Sequence, residues 1–136
     1  MVPVSSHSKA DGKAVKDLIP AAELAQIEQR TRDGGAEIVA LLKTGSAFYA
    51  PASSVAEMVQ AILKDTKKSL PLCAYVRGEY GLDGLYFGVP AQLGRRGVEK
   101  VVEISLSEEE KKALALSAQK VRSGIEELEK LISVSA

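Results

Sequence analysis

Leu70-Pro71-Leu72-Cys73-Ala74-Tyr75-Val76-Arg77 is the stretch from which the fold class follows. Leu70, Leu72, Ala74 and Val76 alternate with Pro71, Cys73, Tyr75 and Arg77, a period of two that assigns one set to each face of a strand. Gly78-Glu79-Tyr80-Gly81-Leu82-Asp83-Gly84 follows as a turn-rich connection. A second strand is expected over Leu85 to Leu93, weakened by Gly88 and Pro90. Gly94-Arg95-Arg96-Gly97 marks a hairpin, because glycine takes positive φ at little cost. Val98 to Ile104 reads as a third strand.

On both sides of this block the apolar period becomes helical. Pro20 starts a helix whose Leu24, Ile27, Thr31, Ile38, Leu41 and Leu42 recur at helical spacing. Gly34-Gly35 weakens that helix and predicts a kink or break. Ala50-Pro51 opens or kinks a second helix with the stripe Val55, Met58, Val59, Ile62, Leu63. It leaves through Lys64-Asp65-Thr66-Lys67-Lys68. Ser107-Glu108-Glu109-Glu110 has the form of a capping box, Ser107 accepting from a free backbone N–H while Glu110 reaches back. The last helix carries Leu114, Val121, Ile125, Leu128 and Ile132 on one face. Residues 1–16 are polar and read as a loose strand or flexible lead-in, with the domain proper over 17–136. The order is helix, helix, three antiparallel strands, helix. The expected fold is α+β, long helices packed on a three-stranded antiparallel sheet.

A length of 136 residues suits one ordinary domain. Lys plus Arg and Asp plus Glu are 18 each, so no basic field is present to attract nucleic acid. No apolar run approaches the roughly 18–20 residues that span a bilayer. The N-terminus lacks the basic head and apolar segment of a signal peptide. Cys73 is the one cysteine, which excludes an intrachain disulfide and suits a cytoplasmic, reducing compartment. With no tryptophan, the core is expected to be aliphatic.

Generic catalytic motifs are absent: no glycine-rich nucleotide loop, no CxxC, no HExxH, no GxSxG. His7, the one histidine, sits among Ser6, Ser8 and Lys9 and reads as a solvated surface residue. Cys73 reads as a small buried hydrophobe. Glu108-Glu109-Glu110 suits a helix start and its dipole rather than a metal site, and no metal is expected. Arg95-Arg96 reads as a hairpin tip rather than an anion site.

Longer stretches are more specific. Gly34-Gly35-Ala36-Glu37-Ile38-Val39, Leu41-Leu42-Lys43-Thr44-Gly45-Ser46-Ala47-Phe48-Tyr49-Ala50-Pro51-Ala52 and Glu57-Met58-Val59-Gln60-Ala61-Ile62-Leu63-Lys64-Asp65 occur in that order. They are followed by Gly78-Glu79-Tyr80-Gly81-Leu82, Gly88-Val89-Pro90 and Gly94-Arg95-Arg96-Gly97-Val98-Glu99-Lys100. Over residues 18–132 the chain resembles the C-terminal, substrate-binding domain of the NAD-dependent malate dehydrogenases in the lactate/malate dehydrogenase family. The resemblance implies that Ser46 lines the pocket beside the 2-hydroxy acid and that Ala50 contacts the nicotinamide ring. Thr44 and Gly45 shape the turn between helices, and Ile38, Leu41 and Leu42 lie at a subunit contact. A side chain beside a reacting carbon must not crowd it, which suits serine. Taken without the resemblance, Ser46 reads as a helix cap.

The departures from the family are equally informative. Its catalytic histidine lies in an HGD segment shortly before a Val-Pro pair, and this sequence opens Met1-Val2-Pro3. The dinucleotide-binding domain, the arginine that pairs with the substrate carboxylate and the aspartate that orients the histidine are likewise not among these residues. His7 does not take over the catalytic role. Residues 5–14 are more polar than the family's, as would suit a face no longer packed on a neighbour or drift in a surface loop. The expectation is a substrate domain for malate–oxaloacetate interconversion, inactive alone and binding no cofactor by itself, with NAD the cofactor of the complete family enzyme. Expected partners are a second copy, a dimer first, and a separate dinucleotide-binding chain. The alternative is a non-catalytic, self-associating folding module.

Overall fold

A computed structural model describes residues 1–134. The end of the expected domain, at residues 135–136, lies outside the described residues. In chain order the elements are β1 (Lys9–Ala10), β2 (Lys13–Ala14), α1 (Val15–Leu18), α2 (Ala21–Leu42), α3 (Tyr49–Leu63), β3 (Lys68–Arg77), β4 (Asp83–Gly94), β5 (Gly97–Val101) and α4 (Glu108–Val134). They fall into two compact units, Met1–Ala47 with the chain from Leu106 onward, and Phe48–Ser105.

In the second unit β3, β4 and β5 form an antiparallel sheet in that order. The α+β expectation holds. Leu72 faces Val89 and Tyr75 faces Tyr86 across the first ladder. Burial alternates along β3 as the sequence pattern predicts, with Leu70, Leu72, Ala74 and Val76 buried and their neighbours exposed. On β4, Leu85, Phe87, Val89, Ala91 and Leu93 are buried in register with them. α3 packs on β4 and buries Ala61. Its Pro51 lies in the first turn, where a backbone N–H has no partner within the helix. On the outer face, the Tyr75 and Tyr86 rings meet edge to face with centroids 5.2 Å apart. Cys73 shares this face and is exposed. The expectation that it is buried is therefore corrected: strand alternation puts it with Tyr75, and its apolar character does not override that geometry.

The third strand is shorter than expected, ending at Val101 rather than Ile104. The cause is Pro90. Val102 N–H donates to the Pro90 carbonyl at 2.8 Å, but Pro90 has no N–H to return to Val102. The Tyr80 hydroxyl substitutes for it, donating to the Val102 carbonyl at 2.9 Å and accepting from the Ile104 N–H at 3.0 Å. Tyr80 reaches this position from a left-handed backbone conformation, φ 56°. Its own N–H is held by the Glu103 carboxylate at 2.7 Å.

In the first unit, residues 1–16 are more structured than a lead-in. Ser5–His7 is a short 3-10 turn, and β1 and β2 pair around Asp11-Gly12. α2 then runs unbroken through Gly34-Gly35, so the expected break there does not occur. A two-point ion pair bridges the glycines, Arg30 Nη2 to Glu37 Oε1 at 3.0 Å and Nε to Oε2 at 3.2 Å. α4 begins with the expected capping box: Glu110 N–H donates to Ser107 Oγ at 3.2 Å, and Ser107 N–H to Glu110 Oε2 at 2.8 Å. Ala118 is buried on α4, whereas Ile125, Leu128 and Ile132 of its predicted apolar stripe are exposed.

Two stability changes follow. Tyr80→Phe leaves the Val102 carbonyl and the Ile104 N–H without their shared partner, so unfolding in urea should show a loss of about 1–2 kcal/mol. Gly35→Ala should instead stabilise the chain by about 0.5–1 kcal/mol, because a Cβ added there meets nothing within 4 Å. A destabilised Gly35→Ala protein in the same titration would show that the glycine serves a close approach.

Candidate functional site

The turn between α2 and α3 carries both residues that the resemblance assigns to substrate and cofactor. α2 closes on Lys43, which adopts φ 61° and donates its N–H to the Val39 carbonyl at 3.0 Å. Thr44 N–H then bonds the Leu42 carbonyl at 2.7 Å, and Gly45 takes φ 86°, a value that L side chains rarely adopt. Thr44 and Gly45 thus shape the turn as expected. Ser46 follows in irregular chain and is exposed. The capping role that Ser46 would have without the resemblance is not what the structure has: Phe48 is the N-cap of α3, and no side chain caps it.

Ala50 is the second residue of α3 and is exposed. Its carbonyl accepts the Ser54 hydroxyl at 2.9 Å, a bond within the helix. Ser46 belongs to the first compact unit, whose first stretch ends at Ala47, and Ala50 lies near the start of the second. The chemistry available here is modest: a hydroxyl that can donate or accept, and a small apolar surface that a flat ring could approach.

The residues assigned to a subunit contact are all accessible. Ile38, Leu41 and Leu42 are 40%, 75% and 47% exposed, and α2 as a whole buries no residue. Ile27, Thr31, Gly34, Ile38 and Leu41, edged by Arg30 and Glu37, line a groove of about 460 Å³ along this helix. An apolar stripe of this size on a helix surface is the kind of feature that another surface covers.

The other sequence candidates resolve as structural residues. His7 is exposed on the 3-10 turn. Arg95 and Arg96 sit in a charge-balanced hairpin tip. Arg95 N–H donates to Asp65 Oδ1 at 2.8 Å, and Glu99 lies 3.8 Å from Arg96 and 3.9 Å from Lys67. Among the described residues, no three His, Cys, Asp or Glu side chains gather as a metal site, and no helix is long and apolar enough to cross a membrane. Sequence reasoning missed the second partner of Glu110. Its carboxylate also accepts from Ser6, 104 residues away, a separation that no local motif signals.

The family model described as lactate/malate dehydrogenase, alpha/beta C-terminal domain, matches residues 1–132. A malate dehydrogenase of Geobacillus sp. (strain WCH70) is 54% identical over 129 residues, which are 95% of this chain and 41% of that protein. The chain thus spans about two-fifths of the length of such relatives. Among solved structures, the malate dehydrogenase of Salinibacter ruber superposes with a TM-score of 0.95 at 45% identity, covering 99% of this chain and 44% of the other. The lactate dehydrogenase of Cryptosporidium parvum, complexed with lactic acid and β-nicotinamide adenine dinucleotide, gives a TM-score of 0.86 at 35% identity, with 90% and 40% covered. The likeness covers both compact units and the turn that carries Ser46 and Ala50, and by it the chain belongs to the lactate/malate dehydrogenase family, as that family's α/β C-terminal domain.

Proposed function

We propose that this chain supplies the substrate-side half of a malate dehydrogenase active site. It would act with a dinucleotide-binding half that brings the catalytic histidine, the arginine for the substrate carboxylate and the orienting aspartate. The observation that carries the proposal is the likeness to malate dehydrogenases, 54% identity over 129 residues with one of them, together with a family match over residues 1–132 that includes the Lys43–Pro51 turn. In this reading the Ser46 hydroxyl lies beside the 2-hydroxy acid, small enough to leave the reacting carbon uncrowded. Ala50 offers its methyl group to the nicotinamide ring.

NAD, when bound by the complete site, is the hydride carrier. The chain by itself offers a dinucleotide little hold. Among the described residues no glycine-rich loop links a strand to a helix, so no fan of backbone N–H groups there is directed at a pyrophosphate. Ala50 contributes one apolar contact. Reduction of a ketone also needs a positioned proton donor, and His7 stands on the 3-10 turn rather than on the Ser46 turn. The 136-residue polypeptide is therefore expected to be silent alone and active only in company. A cytoplasmic setting accords with an exposed, unpaired Cys73 thiol.

The test is reconstitution. The purified chain mixed with NAD and malate should produce no NADH and should give no calorimetric signal with NADH. Adding a separately expressed dinucleotide-binding half of a malate dehydrogenase should produce turnover. In that mixture Ser46→Ala should lower kcat/KM about two- to tenfold, the range of one hydrogen bond. Turnover by the chain alone that tracks the protein through purification would overturn the division of labour. If it were abolished by His7→Ala, the role denied to His7 would be restored.

A second reading, which can hold together with the first, is a self-associating module, and the exposed stripe of α2 favours it. Burial of apolar surface gains about 25 cal/mol per Å², and two-fold pairing is the commonest closed arrangement. Sedimentation velocity should show a dimer in the micromolar range. Leu41→Glu should weaken it by tenfold or more, since an unpaired carboxylate buried in an apolar contact is strongly disfavoured. A monomer at high micromolar concentration would sink this reading. A dimer indifferent to Leu41→Glu would relocate the contact.

A further inference from the structure

Glu110 is a buried charged residue, 8% exposed, that neither the Ser46 turn nor the α2 stripe employs. An ordinary capping box occupies one side of its carboxylate, and here Ser107 N–H fills that role at Oε2, 2.8 Å away. The remaining capacity is taken by Ser6. Its hydroxyl donates to Oε2 at 2.7 Å and its N–H to Oε1 at 3.2 Å. Ser6 belongs to the 3-10 turn that leads into the β1–β2 hairpin. The backbone bonds around it close within the same segment: His7 N–H to the Val4 carbonyl, Ser8 N–H to Ser5, Val15 N–H to Ser8, and the β1–β2 pairs. These bonds make the segment a strap with its own backbone framework, and Glu110 ties its Ser6 to the start of α4.

We propose that Glu110 is a latch: its ionised carboxylate fastens residues 5–14 to the first turn of α4 through Ser6, and neutralising it loosens that hold. The charged groups around it are Lys16 on α1, Glu28 and Arg32 on α2 and Glu109 on α4, which line the same cavity of about 340 Å³. Arg32 is paired with Glu28 at 3.3 Å. Burial alone pushes the Glu110 carboxyl up. The bonds from Ser107 and Ser6 outweigh it and hold the group below its ordinary value of 4.5. A carboxyl lowered by folding contributes stability that is present above the unfolded value and lost as pH falls through the folded one. The latch is closed at neutral pH and opens in acid. It would operate whatever the chemistry of the complete protein.

Hydrogen exchange of the full chain, corrected for intrinsic rates between pH 6 and pH 3, is the test. At pH 6, Glu110→Gln should speed exchange in residues 5–14 about tenfold or more, as loss of charge-assisted hydrogen bonds implies, and should remove the acid-induced rise seen in wild type. Ser107→Ala should fray the first turn of α4 while leaving the strap protected. That contrast separates a latch from a mere cap. Should Glu110→Gln fail to fold by circular dichroism, Ser6→Ala serves instead: it spares the capping box and should loosen the strap alone, by about threefold. Strap exchange unchanged in whichever variant folds, a wild-type strap indifferent to acid, or Ser107→Ala opening the strap as far as Glu110→Gln would each overturn the proposal.

Discussion

Burial of one face of the three-stranded sheet is the constraint on which the rest of this structure depends. Once Leu70, Leu72, Ala74 and Val76 face inward, a one-residue slip of β4 would exchange its buried Leu85, Phe87, Val89, Ala91 and Leu93 for Tyr86, Gly88 and Pro90. Register is therefore fixed by apolar patterning before any specific polar contact forms. The opposite face is free to carry what burial would penalise, an Arg77 guanidinium 5.5 Å from the Tyr75 ring and a thiol at Cys73. α3 gains a surface to pack against because β4 presents a flat apolar face to Ala61.

The same patterning explains what could be read from the sequence and what could not. Period-two alternation over Leu70–Arg77 and the Ser107–Glu110 box are local signals, and both appear in the structure as the residues dictate. The end of β5 is set by a non-local event: Pro90 lacks an N–H, and a tyrosine from the preceding turn, Tyr80, fills the gap. Nothing in Val98 to Ile104 announces this. α2 survives Gly34-Gly35 because its flanking residues are good helix formers and the Arg30–Glu37 pair spans the weak point. A propensity argument weighs the glycines and cannot see the ion pair.

The candidate site was legible to a smaller degree. Ser46 and Ala50 are among the commonest residue types, and neither their spacing nor their chemistry marks them. They acquire meaning only within the longer run Lys43–Pro51. What the structure adds is that Ser46 is exposed and does not cap α3. The α2 stripe tells a similar story. Helical periodicity in Ile27, Ile38 and Leu41 gathers apolar residues on one face of the helix, and all three are exposed.

The facing prolines of the sheet have a further consequence. Val102 donates to the Pro90 carbonyl, so the main-chain polar groups of Pro90 point toward β5. Antiparallel ladders alternate, and the opposed pair Pro71–Pro90 is then a non-bonded one, which turns the nitrogen of Pro71 toward the open side of β3. That side lacks a hydrogen-bond donor at its midpoint. A foreign strand cannot zip along it without an interruption, so the outer margin of the sheet is blunted against edge-to-edge stacking and fibre growth. The sheet is thereby kept from acting as a template for aggregation.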